Sequence, residues 1–224
     1  MRNIDDYSIE QQVKDIKQSF RQLMDGQVAQ SMRQKGMDYH LNWGATLPRL
    51  REMAEELKAR HLAIEGATAD RATTYPLAIA LWKENIRECK ILATMLMPPD
   101  ELLPEVADIW MEQTATVEIA EQLAFNLMQH VPYAAEKAFL WLSSPDDLPQ
   151  ICGYHILSRL FMRKLEPNER AINEFIDQAL AALQSPTPPL RKAAMQSVIH
   201  FADIALIYQR IASTAIRSIG LDFL

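Results

Sequence analysis

Prolines mark the starts of successive apolar segments in this chain, and this pattern favours a helical fold over every other kind. Pro76, Pro132 and Pro167 each begin a segment of roughly 10 to 16 residues whose apolar side chains recur every three or four positions. Proline is tolerated in the first turn of a helix, because its missing N–H would be unpaired there in any case. Only 6 glycines accompany 12 prolines, which disfavours the tight turns of a strand-rich protein. The chain is therefore predicted to be all-α, with about twelve helices.

The predicted helices come in pairs from Pro76 onward, with a spacing of about 30 to 40 residues between pairs. Successive pairs open at Pro76, Asp100, Pro132 and Pro167. Within the second pair, Thr116 precedes a helix that is predicted to run from Val117 to His130. This period is typical of helical hairpins that stack because no single pair can bury its own apolar face. The pairs share no alignable sequence letters, which favours a HEAT-like solenoid, a right-handed α-α superhelix. We expect residues 1–224 to form a single HEAT-like helical-repeat domain, with 1–45 as amino-terminal capping helices and a loop. An irregular helical bundle is the alternative.

Charge restricts the classes of partner. The net charge of −6, from 23 basic and 29 acidic residues, has the wrong sign for a protein whose whole surface binds nucleic acid. A local basic face is compatible with this balance. Residues 100–150 contain ten acidic residues and one cation, Lys137. Such a block is typical of a solvated helical face, and it also suits contact with a basic partner.

Cysteines and apolar runs indicate the compartment. Cys89 and Cys152 are too few for a disulfide framework and form no CxxC motif, so we expect buried, reduced thiols. Residues 1–7 lack the apolar core of a signal peptide, and the apolar runs are far shorter than the roughly 20 residues of a membrane span. The sequence has none of the motifs that bind phosphate, dinucleotide or zinc. We expect a cytoplasmic protein with no membrane contact, no metal and no cofactor.

A family resemblance rests on several stretches. Residues 77–103 read LAIALWKENIRECKILATMLMPPDELL, with an aliphatic-tryptophan helix, an Arg-Glu pair and an alanine-containing helix. The stretch before it, NWGATLPRLREMAEEL, has a glycine that precedes a helix, and looser similarity extends to RKAAMQS. These stretches resemble the DNA alkylation repair (AlkD-like) glycosylases over most of the chain from about Gly36. The resemblance implies a HEAT-like α-superhelix whose concave face binds DNA.

The resemblance also implies which residues would carry chemistry. Glycosylases of this family remove cationic alkylated purines, and a carboxylate stabilises the positive charge that grows on the sugar, beside tryptophans and an arginine. The matching acids are Glu118 and Glu121, so these two are the candidate catalytic residues. Val117 and Gln196 stand where the family has tryptophan, and Ile151 stands where it has arginine. These replacements remove indole faces that attract a cationic base and a guanidinium that contacts phosphate.

Basic residues that could contact DNA phosphates lie on both sides of the predicted stack. The candidate nucleic-acid-binding residues towards the carboxyl terminus are Arg159, Arg163, Lys164, Arg191 and Lys192. Those towards the amino terminus are Arg49, Arg51, Lys58, Arg60, Arg87 and Lys90.

Three functional hypotheses remain open. The first is a catalytically degenerate relative of these glycosylases that binds double-stranded DNA or a protein in its concave face. The second is an active DNA glycosylase in which Glu121 is the charge-stabilising carboxylate. In that case Trp43, Trp82 or Tyr154 would replace the missing tryptophans. The third is a HEAT-like protein-interaction scaffold. The three hypotheses differ in whether the chain is an enzyme.

Overall fold

The computed structural model describes residues 8–37, 39–63 and 73–224. These residues contain twelve α-helices and no strand, so the all-α prediction is confirmed. The helices are α1 (Ile9–Gln22), α2 (Gly26–Gln34), α3 (Leu47–Leu62), α4 (Tyr75–Lys83), α5 (Arg87–Leu96), α6 (Pro104–Glu112), α7 (Val117–Asn126), α8 (Ala134–Leu142), α9 (Asp147–Met162), α10 (Glu169–Leu183), α11 (Pro188–Ala202) and α12 (Leu206–Ser218). The signal-peptide prediction concerns residues 1–7, which lie outside the described residues. No helix within the described ranges has the length and apolarity needed to cross a bilayer.

Local capping explains several helix starts. The Ser8 hydroxyl accepts a hydrogen bond from the Gln11 N–H at 3.2 Å, and the Thr116 hydroxyl accepts one from the Ile119 N–H at 3.3 Å. At α10 the cap is the Asn168 side chain, which accepts from the Ala171 N–H at 2.9 Å. Each cap satisfies a backbone donor that has no partner inside its helix.

Two predicted boundaries are wrong. The expected helix at Asp100 is a short 3₁₀ turn, Pro99–Glu101, and α6 begins at Pro104. Leu103 precedes that proline, and a residue before proline is driven out of the helical region by a steric clash, so the helix cannot start earlier and continue through this point. The helix expected to run from Val117 to His130 ends at Asn126, and a 3₁₀ turn, Met128–His130, follows. With these corrections, helix pairs begin about every 30 to 35 residues.

Contacts divide the chain into two compact units, residues 1–103 and residues 104–224. In the first unit α4 packs against α1 and α5, and α3 packs against α5. Phe20, Leu50 and Leu77 are fully buried there, together with Ile91. This packing buries the apolar stripe that the sequence repeats along each helix.

A buried ion pair fixes the loop that precedes α3. The Glu88 carboxylate accepts hydrogen bonds from the backbone N–H groups of Trp43 and Ala45 at 3.1 and 3.2 Å. Arg87 donates to the Ala45 carbonyl at 2.8 Å and to Glu88 at 3.1 Å. Both side chains are almost completely buried, at 1% and 0% exposure. The expectation that Arg87 belongs to a basic DNA-binding rim is therefore wrong, because its guanidinium is buried and paired with Glu88 inside the protein.

Gly44 allows this loop to pass close to the start of α2. Its φ is +78°, and a Cβ atom built on it would lie 2.2 Å from the Asp25 carbonyl oxygen. A side chain there would have to displace backbone, so glycine is required at this point. The predicted glycine that precedes α3 thus has a steric cause.

The second unit is built around α9. This helix packs against α7, α8 and α11, and α11 also packs against α10 and α12. An aromatic cluster fills the space between α9, α10 and α11: Phe161, Phe175 and Phe201 have ring centroids 5.1 to 5.4 Å apart. A Cβ on Gly153 would lie 2.8 Å from the Ala138 carbonyl oxygen, so the missing side chain allows α8 and α9 to approach closely. Because α9 contacts both α7 and α11, we refer to these three neighbouring helices as a row.

Part of the acidic middle of the chain is structural. Asp108 on α6 accepts a hydrogen bond from Lys137 at 2.8 Å and another from the Trp141 indole at 3.1 Å. Lys137 is buried, with 7% exposure. The carboxylate therefore connects α6 to α8 in addition to contributing negative charge to the surface.

Candidate nucleic-acid interface

The row of helices α7, α9 and α11 brings together side chains from three distant parts of the sequence. Glu121 and Phe125 are one turn apart on α7, and His155 and Arg159 are one turn apart on α9. Lys192, in the first turn and a half of α11, acts electrostatically on Glu121 and His155. We call the side chains of Glu121, Phe125, His155, Arg159 and Lys192 the α7–α9–α11 surface.

Aromatic and cationic groups hold this surface together. The Phe125 and His155 rings meet edge to face, with centroids 4.8 Å apart and an interplanar angle of 67°. The Arg159 guanidinium lies over the Phe125 ring, with its Cζ atom 4.4 Å from the centroid. The geometry is that of a cation–π contact, which adds to packing when the groups are partly desolvated.

Glu121 is the partly buried acid of this surface, with 35% of its side chain exposed. Burial raises the pKa of its carboxyl group, Lys192 opposes the rise, and Glu118 adds to it. The sequence-predicted pair of acids thus lies on one helix, and Lys192 acts electrostatically on Glu121. Glu118 acts on this position as a neighbouring negative charge.

His155 is neutral at pH 7. Burial, together with the positive charges of Arg159 and Lys192, lowers its pKa to about 4. Its Nε2 atom lies 3.7 Å from the Glu121 Oε1 atom. This contact joins a carboxylate and an uncharged ring at neutral pH, since forming an ion pair would require protonation of a buried imidazole between two cations.

The same positive potential reaches a second histidine. His200 on α11 has its Nδ1 atom 2.6 Å from the Ser158 hydroxyl of α9. Burial lowers its pKa, Arg159 contributes in the same direction, and Asp203 opposes them. Arg159 therefore contributes to lowering the pKa of two imidazoles, His155 and His200.

The other predicted cations donate hydrogen bonds to backbone carbonyl groups. Arg163, exposed at the end of α9, donates to the Gln129 carbonyl at 2.6 Å. Lys164 donates to the Asp203 carbonyl and has a positive φ of 60° in the turn that ends α9. Arg191 donates to the Ser185 carbonyl at 2.6 Å, in the turn between α10 and α11. The structure therefore brings Lys192 close enough to act on Glu121 and places Arg159 over Phe125 on the same surface, while Arg191 is hydrogen-bonded in a turn.

The positions that the resemblance marks as replaced have different surroundings. Ile151 is a core residue of α9, with 1% exposure, while Val117 and Gln196 are half-buried. Both tryptophans of the second unit, Trp110 and Trp141, are buried, at 3% and 6% exposure. No indole of residues 104–224 is therefore available at the surface beside Glu121.

The aromatic residues suggested as replacements do not fill that role. Tyr154 is fully buried and packs against Phe175 at 6.5 Å, and Trp82 is 2% exposed in the core of the first unit. Trp43 belongs to the loop that the buried ion pair holds, and its indole N–H is buried. The suggestions of Tyr154 and Trp82 are therefore wrong, because both side chains are consumed by core packing.

Sequence reasoning missed Phe125 as the aromatic neighbour of Glu121. The spacing of four residues on one helix places the two side chains on the same face, and this signal was present in the sequence. The position of Arg159 over the Phe125 ring depends on how α9 is aligned against α7, which no local pattern specifies.

Comparison with known proteins identifies the family. The family model described as DNA alkylation repair enzyme matches residues 16–195, which is most of the chain. The chain belongs to the DNA alkylation repair enzyme family. The predicted resemblance is thereby confirmed, although no curated protein is similar enough to this family member to count as a relative.

A solved structure is similar to this family member in fold. It is described as representing a new family of proteins related to the HEAT-like repeat DNA glycosylases with affinity for branched DNA structures. The TM-score is 0.77 at 14% sequence identity, and the match covers 93% of this chain and 83% of the other. The HEAT-like fold predicted from the helix pairs is therefore confirmed.

Proposed function

We propose that this protein binds branched DNA through the α7–α9–α11 surface and does not excise bases. The observation that carries the proposal is the pair of cations on this surface: Arg159, whose guanidinium lies over the Phe125 ring, and Lys192, which acts on Glu121 and, with Arg159, lowers the pKa of the buried His155. A DNA phosphate is attracted by the positive potential of these cations. It would also take the place of Glu121 as a counter-charge for Lys192.

The same potential opposes base excision. Breaking the glycosidic bond of an alkylated purine places positive charge on the sugar, and the departing base begins as a cation. Arg159 and Lys192 would repel both of these charges, and Lys192 already offsets the negative charge of Glu121. The ring of Phe125 has the Arg159 guanidinium on its face at 4.4 Å, so that face is occupied.

The preference for branched DNA is supported by the fold relative, whose description states affinity for branched DNA structures. The charge of this chain also favours a small footprint. A net charge of −6 excludes wrapping of duplex by the whole surface, and few cations lie along the row of helices. If Arg163 and Lys192 each contact one phosphate, the logarithm of affinity should fall with that of salt concentration with a slope of about −2.

Fluorescence anisotropy with labelled DNA tests the binding. A four-way junction and a duplex of the same length are titrated at about 50 mM salt, where retained phosphate contacts are strongest. Lys192→Ala and Arg163→Ala should each weaken binding and reduce the salt slope by about 1. The matched control is Arg210→Ala, which removes an exposed arginine on α12. Equal loss in the control, or no binding to either DNA, would refute the proposal, and the second result would favour a protein-interaction scaffold.

An excision assay tests the second candidate function. An active glycosylase is favoured by one observation, the partly buried Glu121 carboxyl with its raised pKa beside an aromatic ring. Duplex DNA that contains 7-methylguanine is incubated with the wild-type protein and with Glu121→Gln. We expect no base release above the enzyme-free control. Release by the wild type that Glu121→Gln abolishes would overturn our proposal and establish the glycosylase.

A further inference from the structure

An exposed apolar side chain lies among the cations of the α7–α9–α11 surface. Met162, the last residue of α9, is 49% exposed. Nη1 of Arg159 lies 3.6 Å from the Met162 sulfur, while the guanidinium carbon lies 4.4 Å from the centre of the Phe125 ring. The guanidinium thus contacts a thioether and a phenyl ring. We call these three side chains the Phe125–Arg159–Met162 platform.

Phosphate binding alone does not require such a platform. Phosphates are bound by charge and hydrogen-bond donors, for which an exposed thioether and a phenyl ring offer nothing. Bases that have left the stack are bound by flat and apolar groups, including aromatic rings and guanidinium planes. Unstacked bases occur where a duplex is interrupted, as at the branch point of a junction. The chemistry of the platform therefore matches a base and not a backbone.

The platform is also held in position and flanked by charge. The buried His155 ring packs edge to face against Phe125, which restrains the phenyl ring before any ligand binds. Arg163, the next residue after Met162, is exposed and is a candidate to contact an adjacent phosphate. An apolar group between cations is the arrangement by which proteins hold a backbone and insert into a disturbed base step.

We infer that the Phe125–Arg159–Met162 platform receives an unstacked base at the branch point and so determines the preference for branched DNA over continuous duplex. This inference rests on the proposed function. It assigns phosphate affinity to Arg163 and Lys192, and selectivity to Met162 and the plane of Arg159, which Phe125 holds in position.

The test compares selectivity in matched variants. Met162→Gln keeps the length of the side chain and removes its apolar end, and Arg159→Lys keeps the charge and removes the plane. Met24→Gln is the control, because Met24 is 62% exposed and lies in the first unit. Affinities are measured for a four-way junction that carries 2-aminopurine at the branch point and for a duplex that has no branch point. In both platform variants the preference for the junction over the duplex should fall about fivefold. The change in 2-aminopurine fluorescence on binding should also be smaller in these variants than in the wild type.

The outcomes separate the inference from the proposed function. If the wild type binds neither DNA, the proposed function fails. If the wild type prefers the junction, and Met162→Gln and Arg159→Lys keep both that preference and the fluorescence change, the proposed function stands and the platform inference is overturned. Circular dichroism of each variant shows whether the helices are intact, and Met162, exposed at a helix end, is a position where substitution leaves the core untouched.

Discussion

Replacing Glu121 with glutamine should strengthen DNA binding. The change removes one negative charge, keeps the shape of the side chain, and frees Lys192 from its carboxylate neighbour. If a phosphate held by Lys192 is taken to lie about 8 Å from this carboxylate, the repulsion is ~0.5–2 kcal/mol between effective dielectric constants of 80 and 20. Screening at 0.1 M salt, with a Debye length of about 10 Å, leaves roughly half of it. The expected gain is therefore about two- to fivefold in affinity.

The assay is anisotropy with the labelled junction at pH 7, at two salt concentrations. The gain should be larger at the lower salt concentration, because screening is weaker there. Glu169→Gln, an exposed glutamate in the first turn of α10, is the control and should change affinity less. The substitution should also change the temperature at which the protein unfolds. Since the folded-state pKa of Glu121 is raised, its ionised form costs stability above that pKa, and Glu121→Gln should unfold at a higher temperature at pH 7 but not near pH 3. Weaker junction binding by Glu121→Gln would refute the reasoning, because it would mean that the carboxylate itself contacts the DNA favourably.

Two further predictions concern stability. Between pH 6.5 and 4 the free energy of unfolding should fall by up to about 1.4 kcal/mol per pH unit from His155 alone, because its folded-state pKa is lowered to about 4 and only the unfolded chain takes up the proton in that range. Urea unfolding of the wild type and of His155→Gln measures this, and an unchanged pH slope in the variant would contradict it. Glu88→Gln should destabilise the first unit by ~3–5 kcal/mol, because Arg87 would remain buried without its counter-charge and the acceptor of the Trp43 and Ala45 N–H groups would be weakened. A loss below about 1 kcal/mol, the range of an exposed pair, would show that water reaches Arg87.

The helices could be predicted because their signals are local. Ser8 and Thr116 cap the helices that follow them, and the three-and-four spacing of apolar residues identifies the buried stripe of each helix. The start near Asp100 was wrong because three prolines, Pro98, Pro99 and Pro104, compete there as helix starts. The steric effect of Pro104 on Leu103 decides between them.

Burial of charge could not be predicted in the same way. The sequence places Arg87 among the exposed cations that could contact DNA, since most arginines are exposed. Its actual environment depends on the loop that contains Trp43 and Ala45, which is more than forty residues away in sequence and supplies the partners of the Arg87–Glu88 pair. A local pattern predicts which face of a helix is apolar, but not which distant backbone groups will satisfy a buried charge.

The sequence predicts several residues of the candidate site but not how these residues are arranged in space. The sequence predicts Glu121, Arg159 and Lys192, yet these residues lie on three helices, and what brings them to one surface is the packing of α7 and α11 against α9. Phe125 and Met162 were missed because an apolar residue at helical spacing is usually core. Their partial exposure is visible only once the row of helices is formed.

The guanidinium of this surface does not restore the one that the family resemblance places at residue 151. Arg159 is eight residues further along α9, and at 1.5 Å per residue the two positions are about 12 Å apart along the helix. An arginine side chain is shorter than that, and this one is held over Phe125 and against Met162. Ile151 is in the core, so that helical position cannot present a charge to DNA. The cation of this surface therefore lies towards the end of α9, about 12 Å from the position that the resemblance assigns to the family's arginine, and under the proposed function it serves DNA binding without base excision.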